Sequence, residues 1–215
     1  AHELGHAFHS STMWDLPSLN REYAMNVAET ASTFAELIVA DATLKAAKSK
    51  EEQINLLDTK LQNALAMFMN IHSRFIFENS FYTARQKGLV SEEEITSMMI
   101  DAQKEGYQDA LASYHPYFWS AKLHFFIDDV PFYNFPYTFG YLFSMGIYAY
   151  ANQKGTNFEQ EYIDLLRDTA SMTTEELAKK HLGVDLTKPD FWQAGIDMVL
   201  DDIQQFMELT EEFVQ

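Results

Sequence analysis

The chain has 215 residues, enough for one substantial hydrophobic core, and no change in composition divides it into parts. Its 32 acidic residues outnumber 15 Lys and Arg, and the net charge of −17 opposes binding to nucleic acid or to an anionic membrane. Cysteine is absent, which excludes disulfides and thiolate metal ligands, and no apolar run reaches the roughly 18 residues of a membrane span.

The first predicted helix, over residues 1 to about 10, carries the metal-binding pattern HELGH. His2 and His6 are four residues apart, so both imidazoles lie on one helix face and can bind a single metal ion. Glu3 lies outside this ligand set, beside the open coordination position, where its carboxylate can take a proton from water and deliver it to a leaving amine. The alternative is an ordinary polar helix face, since a pattern with three defined positions also occurs by chance.

A second helix is predicted from about residue 21 to residue 48, with Glu29 in its middle. A glutamate from a neighbouring helix would complete a ligand set of two histidines and one carboxylate, leaving the fourth position to water. Glu36 is seven residues further, so it faces the same way and could accept a hydrogen bond from a ligating imidazole. Glu29 could instead be a solvated carboxylate, but the small residues beside it favour close helix approach.

The middle of the chain predicts a long helix over residues 51–86, because apolar residues keep helical spacing throughout. Ser91 and Glu94 form a capping box that opens another helix ending near residue 107. Residues 114–119 are a predicted connector. The following segment, 122–150, is rich in aromatic residues and becomes helical from about Tyr137, after two prolines.

The last 60 residues predict three further helices. Thr156 is the predicted cap of the first, Thr173 and Glu176 form a capping box for the second, and Pro189 lies in the first turn of the third. Apolar residues from Phe191 through Leu200 and Ile203 predict a buried stripe along that third helix. Nothing in this part indicates chemistry.

Three segments, in this order along the chain, resemble the oligoendopeptidase F branch of the thimet oligopeptidase-like zinc metallopeptidases. They are HELGHAFHS from His2, AETAS from Ala28 with FAE from Phe34, and PFYNFPYTFGYLF from Pro131. The resemblance runs over nearly the whole chain. It implies an all-α, multi-helix, zincin-type catalytic domain over residues 1–215, with few or no strands and one Zn²⁺ held by His2, His6 and Glu29.

The resemblance also implies that the chain is the C-terminal catalytic part of a longer enzyme. Relatives are far longer, and their N-terminal half forms the other wall of a deep substrate channel. We therefore expect two partners: short peptide substrates and the N-terminal part of the same enzyme. The absence of cysteine fits a reducing compartment, so we expect a cytoplasmic protein.

In this family, a histidine and two tyrosines from the aromatic segment stabilise the developing oxyanion. Tyr141 matches the second tyrosine. The first falls on Tyr133 only if a one-residue gap is allowed, and Tyr137 is the rival. The histidine has no ungapped match, so either His124 serves through a rearranged loop or that donor is absent.

The sequence therefore predicts a zinc-dependent endopeptidase that hydrolyses short unstructured peptides. Glu3 would act first as general base and then as general acid, and Tyr141 would stabilise the oxyanion. Cobalt or manganese would fit the same ligands, although two imidazoles and a carboxylate suit zinc best. One alternative is a zinc-binding helical module without turnover, because the N-terminal wall is missing; another is a purely structural helical bundle.

Overall fold

The computed structural model describes residues 1–155 and 158–213. Within these ranges the chain is helical and has no β-strand, so the predicted all-α class is confirmed. None of the described helices is long and apolar enough to cross a membrane. The helices are α1 (His2–Thr12), α2 (Thr30–Ala46), α3 (Lys50–Leu65), α4 (Ile71–Arg85), α5 (Glu92–Gly106), α6 (Phe135–Lys154), α7 (Glu159–Asp168), α8 (Thr174–His181) and α9 (Pro189–Thr210).

Local sequence signals account for several helix ends. The capping boxes predicted at Ser91 and Thr173 are both present: each hydroxyl accepts the backbone N–H three residues on, and that glutamate returns a bond to the cap. Pro189 occupies the first helical position of α9, where its missing N–H is not needed. The predicted cap Thr156 lies outside the described residues.

The long helix predicted over residues 51–86 is interrupted. A π-helical segment, Ala66–Asn70, separates α3 from α4. The hydroxyl of Thr138 donates a 2.5 Å hydrogen bond to the carbonyl of Met67 inside this segment. A π turn inserts one extra residue into a helix. Apolar residues keep helical spacing on both sides of the insertion, so the sequence pattern does not mark it.

The chain forms two compact units, Ala1–Gln62 with Phe139–Gln215, and Asn63–Thr138. The core of the first unit is built around fully buried side chains of α6 and α7, among them Phe143, Ile147 and Leu165. The core of the second unit centres on Phe77, Met99 and Ala102. The single catalytic domain over 1–215 stays a prediction.

The stripe predicted along α9 is wrong in its C-terminal half. Phe191 is buried, but Leu200 is 53% exposed and Ile203 is 39% exposed. The partly buried positions in this half include Val199, Asp202 and Phe206. The carboxylate of Asp202 lies 2.8 Å from the Nζ of Lys60. An ion pair thus occupies the face that apolar periodicity assigns to the core, because a partnered charge can be buried there.

Candidate metal centre

Helix α1 lies against the start of α2 because residue 5 has no side chain. A Cβ atom placed on Gly5 would lie 2.4 Å from the carbonyl oxygen of Ala31 and 2.5 Å from the Cα of Ser32. Both are backbone atoms that cannot rotate away. Glycine between His2 and His6 therefore allows the contact that carries both imidazoles to the start of α2.

The position of Glu29 differs from the prediction. Helix α2 begins at Thr30, not near residue 21, so Glu29 is the N-cap residue rather than the middle of a helix. The hydroxyl oxygens of Ser32 and Thr33 both lie within hydrogen-bond distance of the Glu29 carbonyl oxygen, at 3.0 and 2.5 Å. Hydroxyl side chains that bond to nearby backbone favour helix ends, which accounts for the later start.

The side chains of His2, His6 and Glu29 nevertheless lie close together. The Nε2 atoms of His2 and His6 are 3.2 Å apart, and Glu29 Oε2 lies 3.3 Å from the first and 3.5 Å from the second. Among the described residues these three form the group of His, Asp or Glu able to hold a metal ion. Two imidazole nitrogens and one carboxylate oxygen thus form a nearly equilateral triangle.

The triangle fits zinc. Zinc binds imidazole nitrogen at about 2.0–2.1 Å with tetrahedral geometry, so two of its ligand atoms lie about 3.3 Å apart. The three observed separations scatter around that distance by a few tenths of an ångström. Three protein ligands also leave one tetrahedral position open, as catalytic zinc sites require.

Two neighbours orient these ligands. His2 Nδ1 lies 3.1 Å from Glu36 Oε1, as predicted; because a carboxylate only accepts, Nδ1 carries the proton and Nε2 keeps its lone pair for the metal. On the other side, the hydroxyl of Ser32 donates a 2.7 Å hydrogen bond to Glu29 Oε2. The sequence gives only the small size of Ser32 as a signal, and this bond was not predicted.

Helix α6 packs on the start of α2 through a second glycine. A Cβ atom on Gly140 would lie 2.6 Å from the Cβ of Glu29. Beside this contact the Thr33 hydroxyl donates to Ser144 Oγ at 2.9 Å. The consequence of this close approach is that Glu29 is held on two sides.

We expect Gly5→Ala to destabilise the fold and to weaken metal binding. Alanine gains about 1 kcal/mol of helix propensity, but overpacking typically costs about 1–3 kcal/mol, and here it pushes against backbone. The free energy of unfolding should fall, and the zinc dissociation constant should rise as α1 moves away from Glu29. Chemical denaturation and zinc titration measure both quantities, with Ser10→Ala on the exposed face of α1 as control. A variant as stable as the control would contradict the close-approach role.

His9 packs in the core and does not belong to the group of His2, His6 and Glu29. It is fully buried, its ring stacks on Tyr23 at 4.2 Å, and its Nε2–H donates to Thr169 Oγ1 at 2.9 Å. Nδ1 is buried and has no hydrogen-bond partner in the part of the chain that the structure describes. Burial lowers the pKa of His9 to about 4, against an opposing hydrogen bond to the Leu166 carbonyl, so the ring is neutral in the fold.

This pKa predicts a pH dependence of stability. The unfolded chain binds a proton at His9 near pH 6.5 and the folded chain only near pH 4, so stability is fully present above 6.5 and declines as the pH falls toward 4. The loss from His9 is about 3 kcal/mol. Denaturation with a chelator present should show a shallower decline for His9→Gln than for the unmodified chain. Parallel profiles would show that His9 does not cause it.

Tyr141 lies on α6 in the first unit and is 5% exposed. Burial, followed by the charges of Asp202 and Glu36, raises the pKa of its hydroxyl, which therefore stays protonated and able to donate at neutral pH. Glu3 is exposed on α1. The oxyanion role of Tyr141 and the base role of Glu3 stay predictions.

The second unit brings His124, Tyr133 and Tyr137 together. His124 Nε2 is hydrogen-bonded to the Tyr137 hydroxyl at 3.2 Å, and its ring stacks on Tyr133 with centroids 5.4 Å apart. His124 belongs to a short 3₁₀ segment, Leu123–Phe126, which places it beside both tyrosines despite the mismatch in spacing. The catalytic role assigned to Tyr133, with Tyr137 as its rival, stays a prediction.

Comparison with known proteins gives one family. The model of peptidase family M3 matches residues 1–198. The chain is 26% identical to the oligoendopeptidase F homolog of Lactococcus lactis subsp. lactis over 99% of its length, and 26% identical to oligopeptidase PepF of Bacillus subtilis over 97%. The resemblance predicted from three motifs is confirmed.

The fold comparison agrees. The crystal structure of oligoendopeptidase-F from Enterococcus faecium superposes with a TM-score of 0.76 over 98% of the chain at 21% identity, which shows a shared fold. The chain covers 38% of that structure, and 35% and 31% of the two curated relatives. It therefore spans about a third of the length of the proteins it matches.

Proposed function

Because the chain belongs to peptidase family M3, we propose that it is the catalytic part of a zinc-dependent endopeptidase acting on short unstructured peptides. The names of its relatives, oligoendopeptidase F and oligopeptidase, support this substrate class. Their greater length supports a longer enzyme whose remaining part contributes the other wall of the substrate channel. A cytoplasmic location is part of the proposal and is supported by the absence of cysteine.

The observation that carries the proposal is the triangle of His2 Nε2, His6 Nε2 and Glu29 Oε2, with edges of 3.2, 3.3 and 3.5 Å. These edges match the distance between two ligand atoms of tetrahedral zinc. Glu36 and Ser32 further support it, since Glu36 binds Nδ1 of His2 and leaves Nε2 for the metal, and Ser32 donates to Oε2 of Glu29.

The proposed chemistry assigns one step to each side chain. Zinc in this site would supply a Lewis acid that polarises the peptide carbonyl and lowers the pKa of water. Glu3 accepts the proton of the attacking water and transfers it to the amide nitrogen as the C–N bond breaks. Tyr141, protonated at neutral pH, donates a hydrogen bond to the oxyanion, and Tyr133 is assigned the same task.

A second candidate function is zinc binding without turnover. Its support is that the chain covers only about a third of its relatives. A site with one open wall would bind metal but would position peptides poorly, and positioning provides much of an enzyme's rate.

Two measurements test these candidates. Anomalous scattering at the zinc edge of a zinc-soaked crystal should place one ion about 2.0–2.2 Å from His2, His6 and Glu29. Cleavage of an internally quenched peptide should follow, more slowly for this chain alone than for the longer enzyme. Zinc binding without peptide cleavage, in both this chain and the longer enzyme, would favour the second candidate, zinc binding without turnover. An ion bound elsewhere, with Glu29 turned away, would overturn both.

Ser32→Ala tests the support of the third ligand. Removing the hydroxyl leaves Glu29 Oε2 without its 2.7 Å donor, so the carboxylate gains freedom and must be ordered by the metal. We expect the zinc dissociation constant to rise about 10–100-fold. Zinc titration against a competing chelator measures it, with Thr43→Ala, an exposed hydroxyl of α2, as control. Equal affinities in the two variants would show that Ser32 does not position Glu29.

A further inference from the structure

The second unit contains a cavity that the metal centre does not use. It encloses about 140 Å³ between α4, α5 and the 3₁₀ segments of residues 118–126. An apolar protein cavity of roughly 150 Å³ is large enough to bind benzene. Most of the wall is aromatic, formed by Phe77, Phe81, Tyr82, Trp119, Phe125 and Phe126.

A carboxylate interrupts this aromatic wall. Glu78 lines the cavity and is only 3% exposed. Its Oε2 accepts a 2.9 Å hydrogen bond from Asn134 Nδ2, while Oε1 is buried without a hydrogen-bond partner among the described residues. A buried carboxylate oxygen without a donor is costly, so Glu78, which lines the cavity, keeps one unused acceptor.

The nearby cation does not fill this role. Arg74 donates to Asn134 Oδ1 at 3.4 Å, and its guanidinium lies 5.4 Å from the centre of the Phe118 ring. Arg74 is not among the residues that line the cavity. Burial raises the pKa of Glu78, although Asn134, Arg74 and the backbone of Phe132 act in the opposite direction. A donor arriving from inside the cavity would stabilise the ionised carboxylate.

The aromatic wall of the cavity favours a cation as that donor. The faces of phenylalanine, tyrosine and tryptophan attract ammonium groups, and several rings around one cavity form the kind of cage that recognises them. The rings are held in place by one another: Phe77 meets Phe125 edge to face at 5.0 Å and stacks on Phe81 at 6.0 Å. An anionic ligand would meet Glu78 and the negative faces of the rings.

We propose that this cavity is a binding site for a small primary ammonium ion of about the size of benzylamine. The ammonium group donates to Glu78 Oε1, and the apolar part of the ligand lies among the rings. The site belongs to the second unit alone and does not depend on the peptidase function.

Benzylammonium chloride is the probe, titrated into the whole chain by calorimetry. A second readout is the indole N–H signal of Trp119, since Trp119 lines the cavity and its Nε1 is buried with no hydrogen-bond partner among residues 1–155 and 158–213. We expect saturable 1:1 binding and a shift of that signal. Glu78→Gln keeps the shape but removes the charge, and should weaken binding at least about 10-fold. Glu92→Gln, an exposed glutamate of α5, should bind like the unmodified chain.

Phe126→Ala is the second variant, because Phe126 is 54% exposed and its loss does not threaten the fold. It should weaken binding several-fold by opening the aromatic wall. The proposal is overturned by the absence of saturable binding, by benzyl alcohol binding as tightly as benzylammonium, or by unchanged affinity in both Phe126→Ala and a folded Glu78→Gln.

Discussion

Glu29→Gln is expected to raise the zinc dissociation constant about 100-fold or more. Four-ligand zinc sites have apparent binding free energies of about 10–16 kcal/mol, so each ligand contributes roughly enough for a factor of 10²–10³. Glutamine keeps the size of Glu29 and can still accept from Ser32, so the loss reports the carboxylate and not a packing defect.

The measurement is competition for zinc with a fluorescent chelator, supported by thermal unfolding with and without metal. Ligand at 100 times its dissociation constant stabilises a fold by about 2.7 kcal/mol, and this stabilisation should disappear in the variant. Glu22→Gln, an exposed glutamate just before the site, is the matched control. Zinc affinity equal to the control would remove Glu29 from the ligand set and end the proposed mechanism.

Glu3→Gln should leave zinc bound and lower kcat by about 10²–10⁴-fold, the range that general acid–base catalysis contributes. The amide cannot accept a proton from water, yet it occupies the same volume on an exposed part of α1. Metal affinity should stay within a few-fold, because Glu3 does not belong to the triangle of His2, His6 and Glu29.

The assay uses an internally quenched peptide with the longer enzyme that we propose carries this chain, and with the chain alone. Glu22→Gln again serves as control for the loss of one surface charge. Loss of zinc together with turnover would make Glu3 a ligand, and turnover at the control rate would assign the proton transfer to another group. Retained zinc with lost turnover is the combination that the proposal requires.

Local sequence patterns predicted much of the fold correctly. Capping boxes at Ser91 and Thr173, the proline start of α9 and the all-α class follow from interactions within a few residues, so they can be read along the chain. The pairing of His2 with His6 is of the same kind, since four residues of helix define it. The resemblance over three motifs then indicated Glu29, although its place in the helix was wrong.

Features that depend on a distant segment could not be predicted in this way. The π segment before α4 and the partly buried Asp202 of α9 each depend on a partner more than 70 residues away, Thr138 and Lys60 respectively. The hydrogen bond between His124 and Tyr137 likewise depends on the path of the backbone between them, which the sequence spacing does not show.

In the metal centre, the sequence alone determines some features and tertiary contacts determine the others. Spacing within one helix was enough to align two imidazoles, because helix geometry is independent of the rest of the chain. The closing of the triangle needed contact between α1 and α2 at Gly5, packing of α6 on Glu29 through Gly140, and hydrogen bonds from Ser32 and to Glu36. Except for the bond from Ser32, which lies three residues from Glu29, those contacts join segments that are remote in sequence, and their distances exist only once the helices have packed.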